Sequence, residues 1–517
     1  MKKNQLKWGI ILSYARTFIK IIEGLLYSPI LVNMLGQSEY GLYQTVFSTI
    51  STLSILSLGF NAGYVKWMSQ YRQQGRQKDI DRLNGVYAII FSLLSFIVFI
   101  SGTILTLNLN VVYGEGLTAD EYKTATVLAF LTTINLSLTF ITSVFTTILS
   151  ANERFFYLKL MNLIRTIASP IVTLILLYCG LKSIALCIVA ISFDVLTFVV
   201  HAFYVLKVLK NRFSFNGFEK GLLSNIFGFT FFVALNLIVE QVNNSLDKVL
   251  LGRFQGTAQV AIYSIGYSLV SHYTTLSSSI AGVFTPKIHK ILSSTAESKE
   301  QSSLITELFV KVSRIQFFVL GLFLTGFILY GKQFITCFWL NQEYSDSYYV
   351  MILLTLSITI PLTQNLGIEV QRALNKHKFR SILYFCMAIV NVLITIPLCK
   401  EFGAIGAAIG TAISYVVVNT IVMNIYYHRA CRINIFHYWK NILSILRGFV
   451  LPVLFAIVFN TLFDTTKFIW FFISVALYSI IYLVSVWFVC MNNFEKELIK
   501  KPVSKVIRRF THGIKRY

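Results

Sequence analysis

The chain has 517 residues, of which 56% are hydrophobic, 15% aromatic and only 13% charged, with a mean hydropathy of +0.68. A water-soluble chain of this length carries about twice that charged share to cover its core, so the composition excludes a soluble globular enzyme and calls for a surface that faces lipid. Lys and Arg exceed Asp and Glu to give a net charge of +23, but they sit in short stretches between apolar runs, which fits membrane orientation and not a nucleic-acid groove.

The N-terminus, Met1-Lys2-Lys3, has the basic start of a signal peptide. Arg16 and Lys20 interrupt the apolar run behind it and no small-x-small cleavage site follows, so we expect a retained first helix. A spanning helix needs roughly 20 mostly apolar residues. Such stretches fall near 8–34, 42–64, 84–107, 124–149, 158–179, 183–206, 222–252, 258–283, 308–330, 347–370, 379–399, 403–427, 441–461 and 468–491. The expected fold is therefore an all-α polytopic membrane protein of about fourteen helices. Residues 1–213 form an N-terminal six-helix lobe and 214–430 a C-terminal one; 431–492 add two helices and 493–517 a basic cytoplasmic tail.

Charge in the loops fixes the orientation. With the N-terminus inside, the inner segments hold 35 of the 45 basic residues, the outer segments hold Lys123, Lys182, Arg253, Lys332, Lys400 and Lys467, and four lie within helices. The alternation runs through every loop, so both termini are expected in the cytoplasm. The tail can lie on anionic headgroups or stay solvated.

The four basic residues within helices are Arg16, Lys20, Arg165 and Lys248. A charge at mid-bilayer costs about 2.5–3.5 kcal/mol on insertion scales, so such residues face a partner or a cavity. Helix one carries Arg16, Lys20 and Glu23 on one face, by their spacings of 4 and 3. Two readings stand: a Lys20–Glu23 ion pair, or a cationic face that receives an anion such as a diphosphate, which the guanidinium fork suits. Span seven carries Glu240, Asn243, Asn244, Asp247 and Lys248. Glu240 either binds a proton or Na⁺ or pairs with Arg16 or Lys20. Asp194 in span six is either a coupling site or the partner of Arg165 in span five. Arg16, Lys20, Asn243 and Asn244 are thus the candidate cavity ligands, and Glu23, Asp194, Glu240 and Asp247 the candidate ion-coupling residues. Pro29, Pro170 and Pro361 fall inside spans, where they can kink them.

The two halves resemble each other at an offset near 220. Gly36-Gln-Ser-Glu-Tyr-Gly-Leu-Tyr43 matches Gly256-Thr-Ala-Gln-Val-Ala-Ile-Tyr263, Ala151-Asn-Glu-Arg-Phe-Phe156 matches Leu374-Asn-Lys-His-Lys-Phe379, and Ile184-Ala185 matches Gly406-Ala407. Six helices per half keep both halves pointing the same way, a parallel repeat about an axis along the membrane normal. Such lobes suit alternating access and make a transporter the leading class. The seven cysteines include no Cys-x-x-Cys pair and read as apolar fillers, with no metal site. No Walker motif, zinc signature or Gly-x-Ser-x-Gly occurs.

Leu35-Gly-Gln-Ser-Glu-Tyr-Gly-Leu-Tyr43, Leu58-Gly-Phe-Asn-Ala-Gly-Tyr-Val-Lys66, Ala373-Leu-Asn-Lys376 and Phe402-Gly-Ala-Ile-Gly-Ala-Ala408 carry a family likeness. On these residues the chain resembles the polysaccharide flippases of the O-antigen (Wzx) type, in the multidrug/oligosaccharidyl-lipid/polysaccharide superfamily. The resemblance covers nearly the whole chain. It implies two six-helix bundles plus two helices in a bacterial inner membrane. It also implies transfer of an undecaprenyl-diphosphate-linked oligosaccharide (an O-antigen, capsule or exopolysaccharide repeat unit) to the outer leaflet. Neither catalysis nor a cofactor is expected. The implied partners are the lipid-linked oligosaccharide, membrane lipids, a proton or Na⁺ as coupling ion, and polysaccharide-assembly proteins. The family lines its cavity with basic residues, which Arg16 and Lys20 match in kind; Ser57 stands where it often has an acidic one. The alternatives are a lipid II flippase, a multidrug antiporter of the same superfamily, and a membrane polysaccharide polymerase or glycosyltransferase. The antiporter favours an acidic cavity, whereas helix one is net positive. The only Asp-x-Asp string, Asp79-Ile-Asp81, lies in a basic inner loop.

Overall fold

Inside a bilayer every backbone N–H and C=O must be satisfied within the protein, so a chain this apolar crosses as helices or as a closed barrel. The computed structural model describes residues 2–57, 59–216, 245–294, 299–374, 376–498 and 500, with 230, 234, 237–239, 241 and 242; among these every regular element is helical and no strand occurs.

The first half runs through α1 (Lys2–Leu35), α2 (Gln37–Ser51), α3 (Phe60–Gln73), α4 (Gln77–Leu107), a short α5 (Leu109–Tyr113), α6 (Ala119–Ala151), α7 (Phe155–Tyr178) and α8 (Ile184–Phe203). The second half runs through α9 (245–254), α10 (Thr257–Ser294), α11 (Lys299–Gln333), α12 (Ser345–Thr363), α13 (Asn365–Ala373) and α14 (His377–Tyr415). It continues with α15 (Met423–Arg429), α16 (Ile435–Ile445), α17 (Val450–Leu462) and α18 (Phe468–Ser485).

Among the described residues, eleven helices are long and apolar enough to cross a membrane. One of them, Lys378–Arg429, is 52 residues long and holds predicted spans eleven and twelve, separated at Gly403, where φ is 55°. Predicted span seven lies mostly outside the described residues, as do Leu58 and the tail beyond residue 500. Large apolar side chains on the outer faces stay uncovered, Leu26 at 65%, Leu107 at 75% and Leu462 at 71% exposure among them. Such surface is stable only against lipid. The chain is a multi-pass membrane protein. Pro29, Pro170 and Pro361 lie inside α1, α7 and α12 as expected, and all seven cysteines are free.

Two compact units gather the helices, Met1–Ser268 with Ser381–Ser414, and Leu269–Arg380 with Tyr415–Tyr517. In the first, α6 packs along α4 and α8 while α1 packs along α7. One of its core clusters surrounds Phe60, Tyr64, Tyr87 and Phe91, where aromatic edges meet faces.

The internal repeat is written into the backbone. Left-handed φ values recur at Gly36 (79°) and Gly256 (81°), at Lys182 (47°) and Gly403 (55°), and at Lys210 (54°) and Arg432 (55°). Non-glycine residues rarely adopt this region, so three matched pairs at nearly constant offset are strong signs of a common ancestor for the halves. A matched tertiary contact joins them. Three residues after each glycine, Glu39 accepts from the backbone N–H of Ser183 at 3.4 Å, and Gln259 accepts from that of Ala404 at 2.9 Å. In each half the side chain thus caps the start of the sixth helix of that half.

In the second unit, Arg314 of α11 is almost fully buried. It donates to both carboxylate oxygens of Glu495 (2.6 and 3.0 Å) and to the carbonyls of Cys490 (2.7 Å) and Asn441 (3.3 Å). This bond staples the last two spans to α11. Removing one partner of a buried ion pair strands the other and costs about 3–5 kcal/mol. We therefore expect Glu495→Ala to lower the unfolding temperature of the detergent-purified protein sharply. Arg314→Met combined with Glu495→Leu should recover most of that loss, as read by thermal unfolding of all variants side by side.

Candidate functional site

Polar groups in an apolar unit mark function or packing, and three sets in the first unit hold the charged residues that the sequence singles out. The first lies on α1. Arg16, Lys20 and Glu23 share one face, as their spacing requires. Arg16 is half-buried and donates from Nε to Thr166 Oγ1 of α7 at 3.4 Å. Lys20 is exposed and Glu23 half-buried. Glu23 lies in the fields of Lys20 and Arg16, but no salt bridge closes between Lys20 and Glu23. The simple ion-pair reading of this face therefore does not describe it, and Lys20 has no polar partner among the described residues.

The second set is centred on Asp194. Its carboxylate accepts from the Arg165 guanidinium of α7, from Asn135 Nδ2 at 2.7 Å and from Thr139 Oγ1 at 3.0 Å. The Arg165 partnership is the pair expected from the sequence. Asn135 and Thr139 were not foreseen. They belong to a ladder between α6 and α8, in which Thr132 meets Cys187, Thr139 meets Asp194 and Thr146 meets His201. All three rungs are 55 residues apart in sequence. A constant offset with steps of seven on both chains means two parallel helices keeping one polar seam in register. The i, i+7 recurrence of polar residues was the signal available.

Neighbouring residues of α7 join these two sets. Arg165 holds Asp194 while Thr166 receives Arg16. The α1 cation is therefore seated on the same helix that supplies Arg165 to the buried Asp194.

The third set lies around α9. Asp247 is buried, and its Oδ2 accepts from the Tyr263 hydroxyl and from Thr411 Oγ1 at 2.8 Å. Thr411 in turn faces Asn391, whose Oδ1 accepts from Thr395 at 3.0 Å. Oδ1 of Asp247 has no partner among the described residues. A carboxylate oxygen beside amide and hydroxyl oxygens is a hard donor set, the kind that takes a proton or a small hard cation. Lys248 does not pair with its neighbour. It donates to Gln44 Oε1 at 3.2 Å and lies 5.6 Å from the centre of the Tyr267 ring. Glu240, Asn243 and Asn244 lie outside the described residues. Among the described residues no cluster of three or more His, Cys, Asp or Glu could hold a metal.

Residues 6–292 match the family model for polysaccharide biosynthesis proteins. No curated protein matches the chain. Among solved structures, the fold is similar to one titled lipid II flippase MurJ in an inward closed conformation. That similarity has a TM-score of 0.72 at 16% identity and covers 95% of this chain and 100% of that one. It is also similar to an inward-facing multidrug resistance MATE family transporter of the MOP superfamily (TM-score 0.58, 10% identity, covering 80% and 99%). A third is the Vibrio cholerae MATE transporter VcmN in its bent form (TM-score 0.53, 13% identity, covering 83% and 98%). At these identities the likeness speaks for the fold, that of the superfamily's transporters, and not for a substrate.

The Asp194 set yields a direct expectation. Asp194→Ala removes the acceptor of three donors at a cost of about 1–3 kcal/mol, since the part-exposed Arg165 can still be solvated. The double variant Arg165→Leu with Asp194→Leu should be more stable than Asp194→Ala, again by thermal unfolding. Equal stability would mean that the pair carries no structural weight.

Proposed function

The chain belongs to the polysaccharide biosynthesis protein family, and from that premise we propose that it is a flippase for an undecaprenyl-diphosphate-linked oligosaccharide. It carries its substrate from the inner to the outer leaflet by alternating access and leaves it chemically unchanged. The observation that carries this reading is the cationic face of α1. An otherwise apolar helix places Arg16 and Lys20 one turn apart, with Arg16 oriented by Thr166 and Lys20 unpaired. Two cations that lack carboxylate partners within a spanning helix fit a dianionic diphosphate. They fit a cationic drug poorly, which disfavours the antiporter. The sugar then occupies an aqueous cavity while the prenyl chain stays in the bilayer. Lipid II is a diphosphate-linked lipid as well, and the same cations serve it; the sugar contacts separate the two.

For the driving ion, the Asp247 set supports a coupling role. A proton or Na⁺ bound at the unpartnered Oδ1 would neutralise the carboxylate next to the Tyr263 and Thr411 donors. A change of charge there alters the hydrogen bonds between α9, α10 and α14, which is how binding of an ion can bias one conformation over another. Asp194, by contrast, is engaged by Arg165, and Glu23 remains a second carboxylate available to a cation.

The test of the flippase is transfer of a diphosphate-linked lipid sugar in inverted vesicles, with wild type, Arg16→Ala and Arg16→Lys at equal expression. Loss of a charge-assisted hydrogen bond to phosphate should slow transfer about tenfold or more in Arg16→Ala, with partial recovery in Arg16→Lys. Equal rates in all three would make Arg16 structural. Absence of transfer in the wild type, with expulsion of a cationic dye from cells, would replace the flippase by the antiporter.

In the same vesicles, Asp247→Asn should abolish the response of the transfer rate to an imposed Na⁺ or pH gradient while leaving gradient-free exchange of the lipid measurable. An undiminished gradient response in Asp247→Asn would remove this residue from coupling.

A further inference from the structure

Glu121 looks in the sequence like an ordinary capping residue of α6, and it does cap that helix. Its Oε2 accepts from the Thr118 backbone N–H at 2.8 Å and from Thr118 Oγ1 at 3.0 Å. Its other oxygen does something local capping cannot explain. Oε1 accepts from Ser38 Oγ of α2 at 2.7 Å and from Thr257 Oγ1 of α10 at 2.7 Å, and those two hydroxyls lie 2.9 Å from each other. The first turns of three helices, α2, α6 and α10, therefore meet at one carboxylate. Each helix start directs a partial positive charge at it.

The backbones close in around this point. A side-chain carbon on Gly41 would lie 1.9 Å from the carbonyl oxygen of Thr257, one on Gly116 would lie 2.1 Å from that of Gly252, and one on Gly252 would lie 2.4 Å from the Thr45 methyl. Arg253 adds bonds to the carbonyls of Val111 (2.8 Å) and Val112 (2.9 Å). Every one of these contacts crosses from the first half of the repeat to the second. The caps at Ser183 and Ala404, by contrast, each stay within one half. When two repeats rock against each other, contacts inside a half travel with it, and contacts between halves at one face must part. The loops concerned are those that the distribution of basic residues assigns to the outside.

We infer that this junction is the outer gate, and that Glu121 is its latch. The carboxylate and Ser38 hold the outer end of α10 to those of α2 and α6, and they must release Thr257 for cargo to leave outward. The inference rests on the alternating-access reading above, but its test needs no cargo.

Thr45 is fully buried one turn below Gly41. The background for the test lacks the exposed native cysteines Cys179, Cys337 and Cys386. In it, Thr45→Cys reports opening through its rate of reaction with a membrane-impermeant maleimide added to intact cells. Glu121→Gln replaces an acceptor oxygen by a donor facing two hydroxyls, and should raise that rate about tenfold. Glu39→Gln, which alters a cap within one half, should change it by less than about twofold. With labelling read at position 45 alone by mass spectrometry, Ser38→Cys with Thr257→Cys, oxidised to a disulfide, should stop it, and reduction followed by removal of the reductant should restore it. This arm decides the matter should Glu121→Gln fail to fold. The latch is overturned if Glu121→Gln labels at the parental rate, if Glu39→Gln accelerates labelling as much, if the oxidised pair labels as fast as the reduced one, or if acceleration appears only in inverted vesicles.

Discussion

The lack of water in the bilayer interior governs this molecule. It forces the backbone into helices, and it obliges each polar side chain within a span to find a partner, a cavity or the interface. Most of the polar side chains in the spans obey the rule locally, by returning a hydroxyl to a carbonyl one turn earlier, as Thr45, Thr132 and Thr173 do. The charged groups among the rest are the informative ones. Asp194 and Arg314 are paired and desolvated. Lys20 is neither, and Asp247 keeps one oxygen without a described partner. In the reading proposed above, the difference between satisfied and unsatisfied charge is what separates scaffold from working surface.

The repeat gives the same conclusion in another form. The two halves share left-handed turns at equivalent positions and share the caps made by Glu39 and Gln259. These devices tie the second helix of each half to the start of its sixth. In the alternating-access reading proposed above, the free energy of the conformational change concentrates in the contacts that join one half to the other. Glu121 stands in that set, and so does the Lys248–Gln44 bond.

The sequence made the fold legible because the signal was redundant. Apolar length, loop charge and the repeat each pointed to the same helices, and the face of α1 followed from spacing alone. The Arg165–Asp194 pair was legible for the same reason: two opposite charges in adjacent spans have little choice but each other. Other features were not. Asn135 carries no mark that distinguishes it from the many hydroxyl and amide side chains that bond to their own helix, and Thr139 is marked only by the recurrence of polar residues at steps of seven. Glu121 was hidden because Thr118-Ala-Asp-Glu121 reads as a complete local motif, and nothing in a local motif announces that a second carboxylate oxygen is spent elsewhere. The failure of Lys20 and Glu23 to pair could not be read either, since spacing permits a contact without requiring it.

The staple between Arg314 and Glu495 has a consequence for how the protein is made. The two residues are 181 positions apart, and a ribosome adding 5–20 residues per second needs about 10–40 s to travel that distance. Throughout that interval the guanidinium of α11 is already synthesised and its carboxylate does not yet exist. The nascent chain must shelter an uncompensated cation at the membrane until its last helices arrive. Completion of the chain is therefore itself a folding step, and a product that ends before Glu495 would carry the mark of its incompleteness to any protease that surveys the membrane.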